Sequence, residues 1–128
     1  MSHRLRNGLS SLFLLVMVSV VPTNFAREAT RAGDVRRHLA RGREAMKANQ
    51  LDEAEREFRE ALRLNPNSAE AYANLGLIAF AQTRYAKAAT AFRAALRLRP
   101  SLWDAQAYLG LTEVRLGQIG RASCRERV

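Results

Sequence analysis

Residues Ala69 to Leu102 read AEAYANLGLIAFAQTRYAKAATAFRAALRLRPSL: two apolar helical patterns, a polar break and a proline near the end. When this 34-residue stretch is aligned with the 34 residues before it, several small, aromatic and proline positions match. The matching pairs are Gly42 and Gly76, Ala54 and Ala88, Phe58 and Phe92, Ala61 and Ala95, and Pro66 and Pro100. The same shift forward brings Leu75 and Gly76 onto Leu109 and Gly110. A fixed period of this kind is typical of a repeat protein.

Each repeat is predicted to be a helical hairpin. In the middle repeat, apolar residues recur at helical spacing over 69–81 and again over 85–98. Gly76 is small because the two helix axes must approach closely, and Phe92 fills the space beside it. Pro100 ends the hairpin because it cannot continue a helix, and Ser101 is predicted to cap the next one. Neither helix can bury its apolar stripe alone, so the hairpins are expected to stack.

With these signatures the chain resembles the tetratricopeptide repeat (TPR) family. The resemblance implies an all-α fold, a right-handed solenoid of antiparallel helix hairpins. The repeats are expected at 35–68, 69–102 and 103–118, and the last stops after its first helix. Besides the two helices of the middle repeat, helices are predicted at 34–48, 51–64 and 103–116. At the turn in the middle repeat, Thr83 is β-branched, so this turn is expected either to differ in shape or to be strained.

Residues 1–26 have the pattern of a targeting segment. Arg4 and Arg6 precede an uncharged apolar run over 9–21, shorter than the roughly 20 residues of a spanning helix. We expect a signal peptide cleaved after Ala26, with export to the periplasm or the medium. An uncleaved inner-membrane anchor is the alternative, because Asn24 is large for its place in a cleavage site. Residues 27–34 are expected to be a linker or a helical lead-in.

The net charge of +9 and the pI near 11.1 favour a nucleic-acid partner at first sight. The positions of the charged residues along the chain weaken this interpretation. Between Arg27 and Gln118 there are 16 basic and 11 acidic residues, a balance that indicates solvated helix faces. This part of the sequence has no cysteine, one histidine (His38) and no glycine-rich loop. We therefore predict no enzyme activity, no cofactor, no metal site and no nucleic-acid partner.

The resemblance also implies where a partner binds. TPR arrays bind peptides or helices of other proteins on a concave face lined by the first helix of each hairpin. Carried over position by position, that face has an apolar centre and basic edges, and its residues are Leu39, Arg43, Met46, Lys47, Ala73, Leu77, Phe80, Ala81, Ala107, Leu111, Val114 and Arg115. Such a surface suits a segment with apolar anchors and acidic flanks. For Leu77, Phe80 and Leu111 the alternative is packing against the next helix.

The predicted function is that of an interaction scaffold module, in the cell envelope or secreted, that recruits a protein partner. The alternative is the N-terminal accessory module of a larger exported enzyme. Contact with a membrane is expected only through residues 1–26, if they are retained.

The last ten residues, IGRASCRERV from Ile119 to Val128, resemble the translation of a common sequencing adapter whose next in-frame codon is a stop. The alternative is a second helix of the third repeat, since Ala122 lies one period after Ala88, but no apolar stripe accompanies it. We expect this segment to be foreign to the natural protein, which would then continue past Gln118. Cys124 is accordingly expected to carry no function.

Overall fold

A computed structural model describes the backbone of residues 9–125 and the side chains of residues 24–125. The helices of this part are α1 (Leu9–Lys47), α2 (Leu51–Leu64), α3 (Ala69–Ala81), α4 (Tyr85–Leu98) and α5 (Trp103–Arg125). Helices α2, α3 and α4 begin and end at the residues that the apolar pattern predicts. The described residues contain no strand. The predicted all-α architecture is confirmed.

The first and last helices are longer than the sequence pattern predicted. Residues 27–34 are helical, so they are a helical lead-in and not an extended linker. At the other end, α5 runs through Gly117 to Arg125. The chain divides into two compact units, residues 1–33 and 34–128, and the repeats lie in the second.

The predicted targeting segment is only partly covered by this description. Arg4 and Arg6 lie outside the described residues, and the side chains of the apolar run over 9–21 do as well. Among the described residues, no helix combines the length and the apolar character needed to cross a membrane. The cleavage after Ala26 stays a prediction.

Two of the three signature glycines, Gly42 and Gly76, lie where the helices of a hairpin cross. A Cβ atom placed on Gly42 would lie 2.7 Å from Cε1 of Phe58, and one on Gly76 would lie 2.6 Å from Cε1 of Phe92. Both rings are fully buried, so neither can move aside cheaply. Glycine is required at these crossings because any side chain would overlap an aromatic ring in the core.

Both complete hairpins turn on a residue with left-handed backbone angles. Asn49 and Thr83 each have φ of 58°. At the second turn, the amide of Arg84 donates to the carbonyl of Ala79 (2.8 Å) and that of Thr83 to the carbonyl of Phe80 (2.9 Å), which is the Schellman pattern. The two turns therefore share one shape, and Thr83 adopts it with a β-branched side chain. Of the two alternatives for Thr83, the strained turn is the one found.

The residue before α5 is not the one predicted to cap this helix. The Ser68 hydroxyl accepts a hydrogen bond from the amide of Ala71 (3.3 Å) and caps α3. The equivalent position in the next repeat is Leu102, and α5 begins directly after it at Trp103. The predicted capping by Ser101 is wrong by one position, and the side chain of Leu102 cannot replace it because it has no hydrogen-bonding group.

Two apolar clusters hold the repeats together. The first joins α1, α2 and α3 and includes Leu39, Phe58 and Ile78. The second joins α3, α4 and α5 and includes Phe92 and Ala105. Helix α3 contributes to both clusters, so the second hairpin stacks on the first hairpin and on α5. The small and aromatic signature residues of the two complete repeats, such as Ala54, Phe58 and Phe92, are thus core residues of the fold, whereas Pro66 and Pro100 lie exposed at the hairpin ends.

Candidate functional site

The predicted binding residues fall into four sets of equivalent positions, one period apart on α1, α3 and α5. We call these sets together the groove face. The sets are Leu39, Ala73 and Ala107; Arg43, Leu77 and Leu111; Met46, Phe80 and Val114; and Lys47, Ala81 and Arg115. Equivalence alone does not make a surface, so the contacts between these helices decide which members lie together.

Two contacts place the three helices side by side along the groove face. The guanidinium of Arg43 on α1 donates to the carboxylate of Glu70 on α3. The ring of Phe80 on α3 packs edge-on against Tyr108 on α5, with 5.7 Å between the ring centroids. The first helices of successive repeats are therefore neighbours, as the predicted groove requires.

The α1 end of the groove face is less available to a partner than predicted. Leu39 is only 8% exposed and packs in the first apolar cluster. Its side chain therefore leaves little surface for a partner, because most of it is buried in the core. Met46 is half-buried and packs against the same cluster.

In the middle of the groove face, Leu77 and Phe80 pack against the second apolar cluster while staying half-buried. The ring of Phe80 also contacts Tyr85, with 5.4 Å between centroids. Both residues therefore pack against the second cluster, and Phe80 contacts the next helix through Tyr108, while their role in binding stays a prediction. What remains of their surface adjoins α5.

The α5 end carries the accessible apolar surface of the groove face. Leu111 is 44% exposed and Val114 is 54% exposed. Ala107 and Arg115 on the same helix are exposed too, as is Ala81 on α3. Leu111 therefore has exposed apolar surface that a partner can contact.

The basic edge of the groove face is partly neutralised. Arg43 is paired with Glu70, and the Lys47 ammonium donates to Glu44 at 2.8 Å. That hydrogen bond, together with the lysine charge, lowers the pKa of Glu44 below its usual value. Arg115 has no ion pair within the described part of the chain, so the uncompensated positive charge lies at the α5 end, next to Leu111 and Val114.

A second exposed surface on α5 escaped the sequence analysis. Val35 and Ala69, at equivalent positions in the first two repeats, are 8% and 5% exposed, whereas Trp103 is 77% exposed. Gly110 has nothing within 4 Å of a Cβ built on it, unlike its two equivalents. Within the described residues, no helix packs over this face of α5. The signal was present in the sequence: Glu126 stands at the place, relative to Gly110, where the earlier repeats have phenylalanine.

Among the residues whose side chains are described, His38 is the only histidine. His38 is half-buried, and its Nδ1 lies 2.7 Å from a carboxylate oxygen of Glu57, which accounts for it as a helix-to-helix contact. No group of three or more metal-ligating side chains occurs among the described residues.

Two comparisons with known proteins bear on this surface. The sequence model of the family described as tetratricopeptide repeat matches residues 39–102 and 79–122. Among solved structures, a mutant of the O-GlcNAc transferase of Thermobaculum terrenum is similar over 71% of this chain, with 30% sequence identity and a TM-score of 0.66. This chain spans only 18% of that enzyme's length. A search of curated proteins gave no match.

Proposed function

Because this chain belongs to the tetratricopeptide repeat family, whose repeats form protein–protein interaction scaffolds, we propose that it binds a segment of a partner protein along the groove face. The observation that carries the proposal is the exposure of Leu111 and Val114 beside the half-buried Leu77 and Phe80. Apolar side chains that stay accessible next to packed ones form a surface on which a partner can bury its own apolar anchors.

The charges on this face indicate the flanks of the partner segment. Arg115 is exposed and unpaired within the described residues, whereas Arg43 and Lys47 already have carboxylate partners. We therefore place the acidic flank of the bound segment beside Arg115. At Arg43 an incoming carboxylate competes with Glu70, so that position contributes to the rate of association more than to affinity.

The test compares captured proteins between matched variants. The double variant Leu111→Ser/Val114→Ser removes the accessible apolar surface without entering either core cluster. Burying two such side chains contributes roughly 1.5–3 kcal/mol each, so binding is expected to weaken at least tenfold at any salt concentration. The control is Leu98→Ser, which changes an apolar side chain that is 41% exposed on α4, away from the groove face.

The readout is the set of proteins bound by the 128-residue chain from an envelope extract. We expect specific partners to be retained by the Leu98 variant and lost by the double variant. Equal recovery of the same partners by both variants would exclude the groove face as the site.

A second candidate function is that of an accessory module of a larger exported enzyme. The observation in its favour is that the similar solved structure is a transferase, matched in its TPR region. Tetratricopeptide repeats themselves are typically non-catalytic scaffolds, so catalysis would belong to another domain. Determining the full coding sequence past the codon of Gln118 tests this candidate: an adjoining enzyme domain supports it, and a stop codon soon after the repeats opposes it.

The same experiment tests the origin of the last ten residues, which we propose are translated adapter. Independent sequencing of the source DNA should then replace the codons of Ile119 to Val128 by others. Recovery of the same ten codons and stop would contradict this proposal.

Export is proposed on the basis of the sequence of residues 1–26. Expressed with a C-terminal tag in a Gram-negative host, the chain should leave the cytoplasm and yield a mature N-terminus at Arg27. The variant Arg4→Glu/Arg6→Glu should be retained inside, because it removes the positive charge that precedes the apolar run. A soluble cytoplasmic product that still begins at Met1 would contradict export.

A further inference from the structure

A pocket of about 280 Å³ opens between α2 and α4, over α3. Its apolar surface comes from Tyr72 and Leu75 on α3 and from Ala91 and Ala94 on α4. None of these residues belongs to the groove face. A ligand in this pocket would therefore bind independently of a partner on the groove face.

The second repeat has alanine at two pocket positions where the first repeat has glutamate. Ala91 and Ala94 are the equivalents, one period on, of Glu57 and Glu60 on α2. In the first repeat, Glu57 fills this space with a contact to His38. Alanine at the equivalent place leaves the side chain of Tyr72 facing open volume, so the second repeat presents an apolar cavity where the first has a polar contact.

The mouth of the pocket carries an excess of positive charge around one carboxylate. Glu55 is 8% exposed and accepts hydrogen bonds from Lys87 (2.9 Å) and Arg59 (2.5 Å), with Arg84 at 3.8 Å. Arg59 and Lys87 line the pocket, and Arg84 lies beside the same carboxylate without lining the pocket. Within the described residues none of the three has another carboxylate partner, so the two cations that line the pocket carry more positive charge than Glu55 compensates. Each cation is about half exposed and can turn toward a ligand.

An apolar cavity beneath uncompensated cations selects an amphiphilic anion. We propose that this pocket binds a peptide segment in which an apolar side chain adjoins a carboxylate. The apolar side chain would fill the space bounded by Tyr72, Leu75 and Ala91, and the carboxylate would bridge Arg59 and Lys87. A cationic or neutral segment would leave the excess charge uncompensated. The site thus discriminates by charge as well as by shape.

The test uses a small probe with the same two features. N-acetyl-leucine presents an isobutyl group next to a carboxylate, and N-acetyl-leucinamide is its uncharged counterpart. In the full chain with labelled methyl groups, the acid should shift the methyl resonances of Ala91 and Ala94. The amide should bind about tenfold more weakly or worse, because it loses the charge-assisted hydrogen bonds at the mouth.

Two variants separate the pocket from a nonspecific effect of charge. Ala91→Leu fills the cavity, and Lys87→Gln removes one of the cations; each should weaken binding of the acid about tenfold. The control is Arg93→Gln, which removes a cation from the same helix that pairs with Glu113 and does not line the pocket. The control should bind the acid like the unchanged chain.

Several outcomes would overturn the proposal. Equal shifts with the acid and the amide would show that the cations do not contribute to binding. If neither Ala91 nor Ala94 shifts, the probe does not bind in this pocket. Shifts of the Leu111 and Val114 methyl groups alone would place the probe on the groove face, overturning the pocket and leaving the proposed function standing. If Ala91→Leu fails to fold, Lys87→Gln against Arg93→Gln still decides the question.

Discussion

The ring of Phe92 occupies the volume that a methyl group on Gly76 would need, with Cε1 of the ring 2.6 Å from the ideal Cβ position. The same relationship joins Phe58 and Gly42 in the first repeat. In the third repeat the equivalent glycine, Gly110, has open space around it. The signature glycine therefore faces a buried ring in the first two repeats and open space in the third. Substitution by alanine should distinguish these two environments.

The variant Gly76→Ala should lower the free energy of unfolding by roughly 1–3 kcal/mol, since the buried ring must move to admit the methyl group. The matched control, Gly110→Ala, should leave stability unchanged or raise it by about 0.5–1 kcal/mol, because alanine favours an exposed helix over glycine. Urea unfolding followed by circular dichroism measures both. Equal effects of the two substitutions would mean that the overlap with Phe92 does not decide the requirement for glycine.

Thr83 should be replaceable by a better residue. Its φ of 58° is unfavourable for a β-branched side chain, whereas asparagine tolerates these angles and already occupies the equivalent turn at position 49. We expect Thr83→Asn to raise the free energy of unfolding by about 0.5–1 kcal/mol. The control is Thr90→Asn on the exposed side of α4, which should show no gain. If both variants behave alike, the turn is not strained.

The sequence predicts the middle of this fold better than its ends. The repeat period fixes α2, α3 and α4 to the residue, because small and aromatic core positions recur in register with the turns. It fails at α5, where the predicted end at residue 116 becomes an end at Arg125. A helix stops when the following residues can pack elsewhere, and the residues after Gly117 have no apolar stripe with which to fold back.

The groove face was predictable as a set of positions but not as a surface. The equivalence of Arg43, Leu77 and Leu111 follows from the period, yet their accessibility does not. The ion pair of Arg43 with Glu70 joins α1 to α3. The burial of Leu39 depends on how α1 packs against the first apolar cluster. Such contacts are set by the tertiary packing of helices, for which a single sequence gives no distances.

Glu55 should make the free energy of unfolding depend on pH in the acid range. The hydrogen bond from Lys87, ahead of the charges of Arg59 and Arg84, lowers the pKa of Glu55 below its usual 4.5, although burial opposes the shift. A lowered pKa in the folded state means that the carboxylate stabilises the fold above pH 4.5 and loses this effect as the pH falls through the folded-state pKa.

The measurement is the difference in unfolding free energy between the chain and Glu55→Gln as a function of pH. This difference should be largest well above pH 4.5 and should shrink below it. Glu53→Gln, an exposed change on the same helix, is the control and should give a small difference that varies little. A difference for Glu55→Gln that stays constant through the acid range would show that the carboxylate charge contributes nothing to stability.

The last prediction concerns the open face of α5. The position equivalent to the turn residues Asn49 and Thr83 is Gly117, the residue type that most readily adopts left-handed angles, yet α5 continues through it. We attribute this to the residues that follow, which have glutamate in place of the phenylalanine that would cover Trp103 and Gly110. A helix that does provide one should dock there, and α5 should then break at Gly117.

The experiment replaces the residues after Gln118 with YAKAATAFRAALRL, the sequence of α4, which sets a phenylalanine as far beyond Gly110 as Phe92 lies beyond Gly76. Docking should bury Trp103, the single tryptophan, and shift its fluorescence to shorter wavelength. Gly110→Ala, harmless in the present chain, should then cost roughly 1–3 kcal/mol, as at Gly76. The same replacement with glutamate in place of its phenylalanine is the control and should leave Trp103 exposed. If Trp103 stays exposed and Gly110→Ala stays harmless with phenylalanine present, the open face of α5 does not bind a second helix.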